Sequence, residues 1–484
     1  MKKSTLLSLL LIALIAMGIA SQNSPLYPLN PWPDTQTIYT VADGINHGQI
    51  MYRDLYDQKG PWMFFLYLPA TWMDSLLSAA PLLPNSQNYF GLLLVELLFA
   101  FGFLLLCNQI FQLYSLHYPL LCTALVALLA YSSRSFFMGG SAEEFALAPL
   151  AYTLYLALRY VHKDCFPTFR QSLLAGALLG LVFYMKYTLL GFALPLVLLY
   201  LLDGLRKKQG AAVLRSLGAA FLGFVLISLP PLLYLAANGA LGDFFTVYIY
   251  NNIFLYGKHD AVRLVDRIKQ FLDVLWHNPL LFSVLGLGLA AALLRLRRLR
   301  LLLAASFVCC FISAYLGSRH YGYYDFVLCL FLPFVFLAAD EALRRVRIPK
   351  LALAGIYVLL IPLFFKLSPN THLRGLRFEE TPQYQFAQII RQAEHPTLLQ
   401  HGALDAGFYH YAGVRPNRRY FCLYNVLISE VHADHSIAIR NGEYDFVVSV
   451  GEDLGQPHYK MVASSTLPMT NLYTVTYYLH QLQK

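Results

Sequence analysis

The chain has 484 residues, of which 57% are hydrophobic and 13% charged, whereas soluble domains carry about 25% charged residues. The composition therefore excludes an ordinary soluble protein. The formal net charge is +9, but the basic residues stand in short runs between apolar segments, as at 206–208, 295–300 and 344–347. This pattern is typical of cytoplasmic loops in a multi-pass membrane protein and excludes most DNA-binding functions, which need a basic soluble face.

Apolar segments recur along the chain with the length that a helix needs to cross the hydrocarbon core, roughly 17 to 25 residues. The first could be a cleaved signal peptide, but the many hydrophobic segments after it favour an uncleaved helix. We predict about eleven transmembrane helices, near residues 4–20, 89–113, 117–134, 145–161, 171–185, 187–203, 216–237, 279–294, 301–317, 325–341 and 350–366.

The distribution of Lys and Arg among the loops predicts the orientation in the membrane. Alternate loops, starting with Lys2 and Lys3, are richer in basic residues and shorter than the others, which places the N-terminus in the cytoplasm. An odd number of helices then leaves the C-terminal part outside. The expected location is the plasma membrane, with a multi-pass topology.

Three regions on the predicted outer side are long enough to carry structure. Residues 21–88 form a first loop that ends in a Trp- and Pro-rich apolar stretch, 61–83, expected to lie along the membrane surface. Residues 238–278 form a second loop. Residues 367–484 show a helical pattern near 383–394 and strand-like runs at 397–400, 444–450 and 472–479.

The predicted fold is an all-α polytopic membrane protein with a small C-terminal extracytoplasmic α/β domain. Its two domains are a transmembrane domain, residues 1–366, and a soluble domain, residues 367–484. No internal repeat is visible in the sequence.

The first loop concentrates the polar residues that could carry chemistry. Asp34 precedes a string at 48–61 that contains Arg53, Asp57 and Lys59. Carboxylates and cations beside a membrane surface could bind a phosphorylated lipid and activate a hydroxyl group. The alternative left open by the spacing is a solvated loop, with an Arg53/Asp57 pair of little energetic weight.

This loop resembles that of the GT-C class of integral membrane glycosyltransferases, especially bacterial members of the dolichyl-phosphate-mannose protein mannosyltransferase-like and teichoic-acid-glycosylation-like groups. The matching residues are Asp34, Gly48, Tyr52, Arg53, Asp54, Asp57, Lys59, Gly60 and Pro61. Further matches follow in order at 139–145, at Lys186 and at 402–421, so the resemblance covers most of the chain. Ser141 and Ala142 depart from the usual Asn and Thr, and the tyrosines at 321–324 stand where relatives often have a His-Tyr pair.

The resemblance implies inverting transfer of a sugar from a polyprenyl-phosphate-linked donor to a hydroxyl group of a cell-envelope glycopolymer, lipid or protein. The reaction would take place on the outer face of the membrane. An aspartate near the acceptor can take its proton, and cations can stabilise the leaving phosphate. We expect Asp34 to act as the base, with Asp54 as the second candidate for that role. Glu143 is expected to be a further active-site carboxylate. The donor phosphate-binding residues are then Arg53, Lys59 and Lys186.

Several of these residues also have structural interpretations. Lys186 could extend to the membrane interface, because a lysine at mid-bilayer costs about 2.5 to 3.5 kcal/mol. Glu144, a candidate for acceptor or sugar binding, fits a capping box with Ser141. Tyr321 and Tyr324 could stack on a sugar or belong to an interfacial aromatic belt. No cofactor is expected with certainty, although Asp34 and Glu143 could share a divalent cation.

The chief alternative function is a transporter or flippase of lipid-linked sugars. Transporters tend to have internal repeats and broken helices around a site at the bilayer midplane. Here the charges collect in one long loop near the start of the chain. This arrangement favours an enzyme whose partners are a lipid-linked donor, an acceptor and the bilayer, with no nucleic acid.

Overall fold

A computed structural model describes residues 2–79, 89–256, 264–315, 321–426, 428–470 and 473–483. Most of these residues are helical. The α-helices are α1 (Lys3–Ala20), α2 (Pro33–Asn46), α3 (Pro61–Ala79), α4 (Phe90–Leu113), α5 (Pro119–Tyr131), α6 (Ala142–Lys163), α7 (Phe169–Lys186), α8 (Leu194–Arg206), α9 (Gly210–Ala237), α10 (Leu241–Phe244), α11 (Leu264–His277), α12 (Pro279–Arg295), α13 (Arg300–Ala314), α14 (Leu332–Arg345), α15 (Lys350–Leu367), α16 (Pro382–Ile390), α17 (Phe408–Ala412) and α18 (Ser429–Arg440).

Six helical stretches among the described residues are long and apolar enough to cross a membrane. They are Lys3–Ala20, Phe90–Leu113, Phe169–Phe192, Gly210–Ala237, Gly322–Arg345 and Lys350–Leu367. Shorter apolar helices occur at Pro119–Tyr131, Pro279–Arg295 and Arg300–Ala314. Together with α6 and α8, these helices overlap the eleven predicted segments. Most ends agree to within about four residues, but α8 begins at Leu194 rather than at 187 and α9 begins at Gly210 rather than at 216.

The chain divides into two compact units. The first comprises Met1–Ala20, Glu96–Pro231 and Val262–Ser368 and contains most of the apolar helices. Helices α7 and α9 pack closely in it because Gly176 and Gly223 lack side chains. A Cβ at Gly176 would collide with the carbonyl of Ala220, and one at Gly223 with the carbonyl of Leu173. Small residues at such crossings let membrane helices approach at backbone distance.

The second unit comprises Ser21–Val95, Leu232–Ala261 and Pro369–Lys484. It contains the long first loop as well as the tail. A π-helical segment, Phe245–Leu255, follows α10 in this unit. The first loop contains α2 and α3, and α3 starts at Pro61, where the predicted membrane-surface stretch begins. The last residues of that prediction, 80–83, lie outside the described residues.

The tail forms the predicted small α/β domain. Its strands are β1 (Leu398–Gln400), β2 (Phe446–Val450), β3 (Tyr459–Pro468) and β4 (Thr474–Leu482), in the sheet order β1-β2-β4-β3. β1 pairs with β2 in parallel, and the other pairs are antiparallel. Its hydrophobic core contains Leu399, Ala438, Ile439, Tyr444, Val447 and Tyr459.

Candidate active site

Asp34 lies in the first turn of α2, and the local sequence explains this position. Pro33 occupies the start of the helix, where its fixed φ fits and its missing N–H costs nothing. The first turn carries the positive end of the helix dipole, which favours a carboxylate there. Asp34 is only 6% exposed, so its charge needs a partner inside the protein.

Lys59 supplies that partner. Its Nζ lies 3.3 Å from Asp34 Oδ1, and its side chain is 23% exposed. The loop before Lys59 is held by Tyr52, whose hydroxyl donates to the Lys59 carbonyl over 2.8 Å. The structure thus brings the predicted base and one predicted phosphate ligand together as a partly buried ion pair.

Asp57 joins this pair and was not among the residues predicted to act. It is 3% exposed, and its Oδ1 accepts from the Lys59 backbone N–H over 3.4 Å. Its Oδ2 accepts no hydrogen bond from the described residues. Burial raises the pKa of Asp57 to about 7; Lys59 lowers that pKa and the charge of Asp34 raises it. The only signal for Asp57 in the sequence is its place in the string that resembles the GT-C class. We call Asp34, Asp57 and Lys59 the carboxylate–lysine cluster.

Asp57 should make stability depend on pH. A carboxyl whose pKa is raised in the folded state stabilises the fold below its unfolded pKa, near 3.8, and that contribution is lost as the pH rises through about 7. We therefore expect Asp57→Asn to raise the melting temperature relative to wild type by a few degrees at pH 8, and by less at pH 5. Thermal unfolding in detergent measures this difference, and a difference that does not grow with pH would contradict a buried, proton-binding Asp57.

Arg53 and Asp54 form a separate pair at the surface. Arg53 Nε donates to Asp54 Oδ1 over 2.9 Å, and Arg53 is not paired with Asp57. Asp54 Oδ2 accepts from the Ile50 N–H over 2.9 Å. The hydrogen bond from Arg53 lowers the pKa of Asp54. Asp54 therefore stands outside the carboxylate–lysine cluster and is held by Arg53 and by the Ile50 N–H.

The first unit holds a second group of candidate residues around Lys186, at the end of α7. Lys186 Nζ lies 2.5 Å from Glu143 Oε1, and it stands 3.4 Å from the ring centroid of Tyr324 and 5.9 Å from that of Tyr323. Glu143 is 1% exposed. Pairing and cation–π contact offset the cost of placing the ammonium group here. We call Glu143, Lys186, Tyr323 and Tyr324 the Lys186 cluster.

Ser141 has the capping role that the sequence predicts, whereas the Glu144 carboxylate departs from the predicted capping box. The Ser141 hydroxyl accepts from the Glu144 N–H over 2.9 Å, so Ser141 is the N-cap of α6. The Glu144 carboxylate turns back to accept from the Gly140 N–H over 2.8 Å, one residue earlier than in a standard capping box. Tyr321 packs edge-on against Tyr324, with ring centroids 5.6 Å apart.

The candidate residues therefore fall into the carboxylate–lysine cluster, the Arg53–Asp54 pair, the Lys186 cluster and the Glu144 cap. Within the ranges that the structure describes, no three His, Cys, Asp or Glu side chains are grouped so as to hold a metal ion.

The fold has known counterparts among solved structures, although no family model and no curated protein matches the chain. ArnT from Cupriavidus metallidurans bound to undecaprenyl phosphate is similar with a TM-score of 0.65 and 13% identity, over 99% of this chain and 98% of that one. The apo state of the same protein gives a TM-score of 0.60 and 13% identity, over 97% and 96% of the two chains. An oligosaccharyltransferase from Archaeoglobus fulgidus, in complex with Zn and sulfate, gives 0.47 and 14% identity, over 91% and 67%.

The similarity to ArnT confirms the predicted fold class. The chain is a multi-pass, mostly helical membrane protein with the fold of ArnT and a small C-terminal sheet domain. Because the shared identity is 13%, the comparison establishes the fold alone.

Proposed function

We propose that the protein is a glycosyltransferase that moves one sugar, with inversion, from a polyprenyl-phosphate-linked donor to an acceptor hydroxyl group. The observation that carries the proposal is the partly buried ion pair of Lys59 with Asp34, which lies at the start of α2. It places a proton acceptor beside a cation, the two groups that this reaction requires. The solved neighbour with undecaprenyl phosphate bound supports a lipid-phosphate donor.

In the proposed reaction, the acceptor oxygen attacks the anomeric carbon from the face opposite the lipid phosphate. Asp34 takes the hydroxyl proton as the new carbon–oxygen bond forms. The bond between the anomeric carbon and the phosphate oxygen breaks, and its electron pair leaves with the polyprenyl phosphate. The proton passes from Asp34 to solvent after the product departs.

Lys59 can contact both Asp34 and the donor. Its ammonium group lies beside the Asp34 carboxylate and is the cation proposed to bind the donor phosphate. Cleavage then adds one negative charge to the phosphate, which a cation in a partly buried site stabilises strongly.

The setting of the reaction follows the predicted topology. We place the first loop and the tail outside the cell, on the distribution of Lys and Arg among the loops. The acceptor is then a cell-envelope glycopolymer, lipid or protein that presents a hydroxyl group at the outer face of the plasma membrane. This placement is tested by labelling Cys165→Ser,Ser464→Cys in intact cells with a thiol reagent that does not cross membranes, because Cys165 is exposed and would otherwise react if the orientation were reversed. Labelling supports the placement, and its absence contradicts it.

The Lys186 cluster is proposed to contribute to donor binding. We expect Lys186→Met to raise the donor KM several-fold, because the variant loses a cation held between Glu143 and Tyr324. Steady-state kinetics with varied donor measure the effect. Lys207→Met is the matched control, since Lys207 pairs with Asp164 and Asp203 in the same unit. An unchanged donor KM in Lys186→Met would assign Lys186 a structural role.

The function itself is tested with a panel of polyprenyl-phosphate sugars. Purified protein in lipid vesicles is incubated with each donor, with and without an acceptor extract, and the products are identified by mass spectrometry. We expect one donor to yield free polyprenyl phosphate together with a product heavier by one sugar residue. Movement of intact donor across the bilayer without cleavage would instead indicate a flippase.

A further inference from the structure

The tail contacts the helix that carries Asp34. The Thr40 hydroxyl of α2 donates to Asp405 Oδ2 over 2.6 Å, and both side chains are buried, with Asp405 fully inaccessible to solvent. The other oxygen of Asp405 accepts from the Gly407 N–H over 2.9 Å. A buried carboxylate is stable only when its oxygens are hydrogen-bonded. The hydrogen bonds from Thr40 and Gly407 therefore explain why Asp405 can be buried where the tail contacts α2.

Gly407 makes a second contact with the same helix. It has a φ of +91°, and a Cβ at this position would lie 2.5 Å from Gln36 Oε1. The Gln36 amide is fixed from two sides, because it accepts from the Tyr89 hydroxyl and donates to the Asn30 carbonyl. Only glycine allows the tail to approach the amide so closely.

A third contact is aromatic. The ring of Tyr39 stacks on Tyr89 at a centroid distance of 4.0 Å, and His410 of the tail packs against its edge at 4.8 Å. The Tyr39 hydroxyl donates to Asp74 Oδ2 of α3 over 3.0 Å. Tyr39 therefore joins α2 to both the tail and α3.

These contacts define how α2 is rotated about its axis. Gln36, Tyr39 and Thr40 stand at positions i, i+3 and i+4, which share one face of a helix. A helix held along one face cannot turn without breaking those contacts, and Asp34 is only two residues from the first of them. The tail segment is itself anchored, since Gln383 of α16 donates to the Ala406 carbonyl over 2.9 Å.

We propose that tail residues 405–410, and Asp405 above all, position the helix that carries the base. In this view the tail is part of the catalytic unit, and Asp405 is a positioning residue that acts on Asp34 through Thr40 and α2. The catalytic consequence rests on the proposed function, whereas the positioning of α2 does not.

The test compares Asp405→Asn with Asp445→Asn. Asparagine keeps the shape of Asp405 but replaces one acceptor oxygen by an amide donor, so it cannot accept from both Thr40 and Gly407. Asp445 is a matched control within the tail, because its Oδ2 accepts from the Thr397 hydroxyl over 2.9 Å and this pair does not involve α2. Both variants are assayed as full-length protein in vesicles.

Two readouts are needed. Hydrogen–deuterium exchange over residues 33–46 should become faster in Asp405→Asn and stay at the wild-type rate in Asp445→Asn. The kcat for transfer should fall about 10- to 100-fold in Asp405→Asn, as expected for a small displacement of a catalytic group, with donor KM changed less than about twofold. Thr40→Val should reproduce this loss, and the double variant should lose little more, because both substitutions break one contact.

The outcomes separate the two proposals. Unchanged exchange over 33–46 in Asp405→Asn overturns the positioning role whatever the activity. Faster exchange with wild-type kcat overturns its catalytic part. A wild-type protein that cleaves no donor refutes the proposed function, and the exchange measurement still decides whether the tail positions α2.

Discussion

Asp34→Asn should bind the lipid-linked donor and fail to transfer its sugar. General base catalysis contributes about 10²- to 10⁴-fold to rate, so we expect kcat to fall within that range. The amide keeps the size of the carboxylate and can still lie beside Lys59, but it cannot take a proton from the acceptor. Transfer by the purified variant in vesicles, measured with saturating donor and acceptor, gives the loss directly.

The matched control is Asp43→Asn, on the same helix. Asp43 is partly exposed and pairs with His47 and with Arg415, so its substitution removes a carboxylate from α2 without touching the proposed base. We expect wild-type kcat in this variant. Full turnover by Asp34→Asn, or an equal loss in both variants, would remove Asp34 from the role of base.

Lys59→Met should lower kcat/KM by about 10²- to 10³-fold, the usual cost of removing one group that stabilises transition-state charge. The donor phosphate loses its cation, and the extra negative charge that develops on cleavage is left without compensation. The variant also leaves Asp34, which is 6% exposed, without its ion-pair partner. Steady-state kinetics with varied donor should show both a raised KM and a reduced kcat.

Lys59→Arg and Lys460→Met are the control variants for the kinetics of Lys59→Met. Arginine keeps a cation that can bind phosphate, so it should recover part of the lost activity. Lys460 is exposed on β3, and its replacement removes the same charge elsewhere in the unit with no expected effect on kcat/KM. Wild-type donor kinetics in Lys59→Met would contradict the assignment of Lys59 to the phosphate.

Hydropathy and capping predicted much of the helical part of the fold. The apolar segments are long, and the hydrocarbon core imposes a similar length on them. This is why each predicted segment overlaps an observed apolar helix, even where the first residue differs, as in α8 and α9. The N-cap at Ser141 could also be predicted, because a capping side chain accepts from the backbone of a residue three positions away. Such features depend on local sequence only.

Helix α2 and strand β3 could not be predicted from the local sequence. α2 is rich in Thr and carries β-branched residues that disfavour isolated helices, and it is held instead by α3 and the tail. β3 is largely exposed, and its residues lack a regular alternation of buried and exposed positions. Both elements depend on tertiary contacts, which a local pattern does not contain.

The candidate site, like α2 and β3, could be predicted only in part, because it depends on tertiary contacts. The sequence singled out Asp34, Lys59, Glu143 and Lys186 as candidates, but their pairing depends on the fold. The raised pKa of Asp57 comes from burial, which its hydrophilic neighbours in the sequence gave no reason to expect. The contact between Thr40 and Asp405 joins residues 365 positions apart, so no motif of ordinary length could reveal it.

The anomeric configuration of the product tests the central claim most directly, namely that the acceptor hydroxyl displaces the lipid phosphate while Asp34 takes its proton. A donor of defined configuration is converted by the wild-type protein, and the new glycosidic bond is assigned by NMR. A direct displacement predicts complete inversion, so a β-linked donor yields an α-linked product. Retention of configuration would exclude a direct displacement from the face opposite the phosphate and would contradict the proposed reaction.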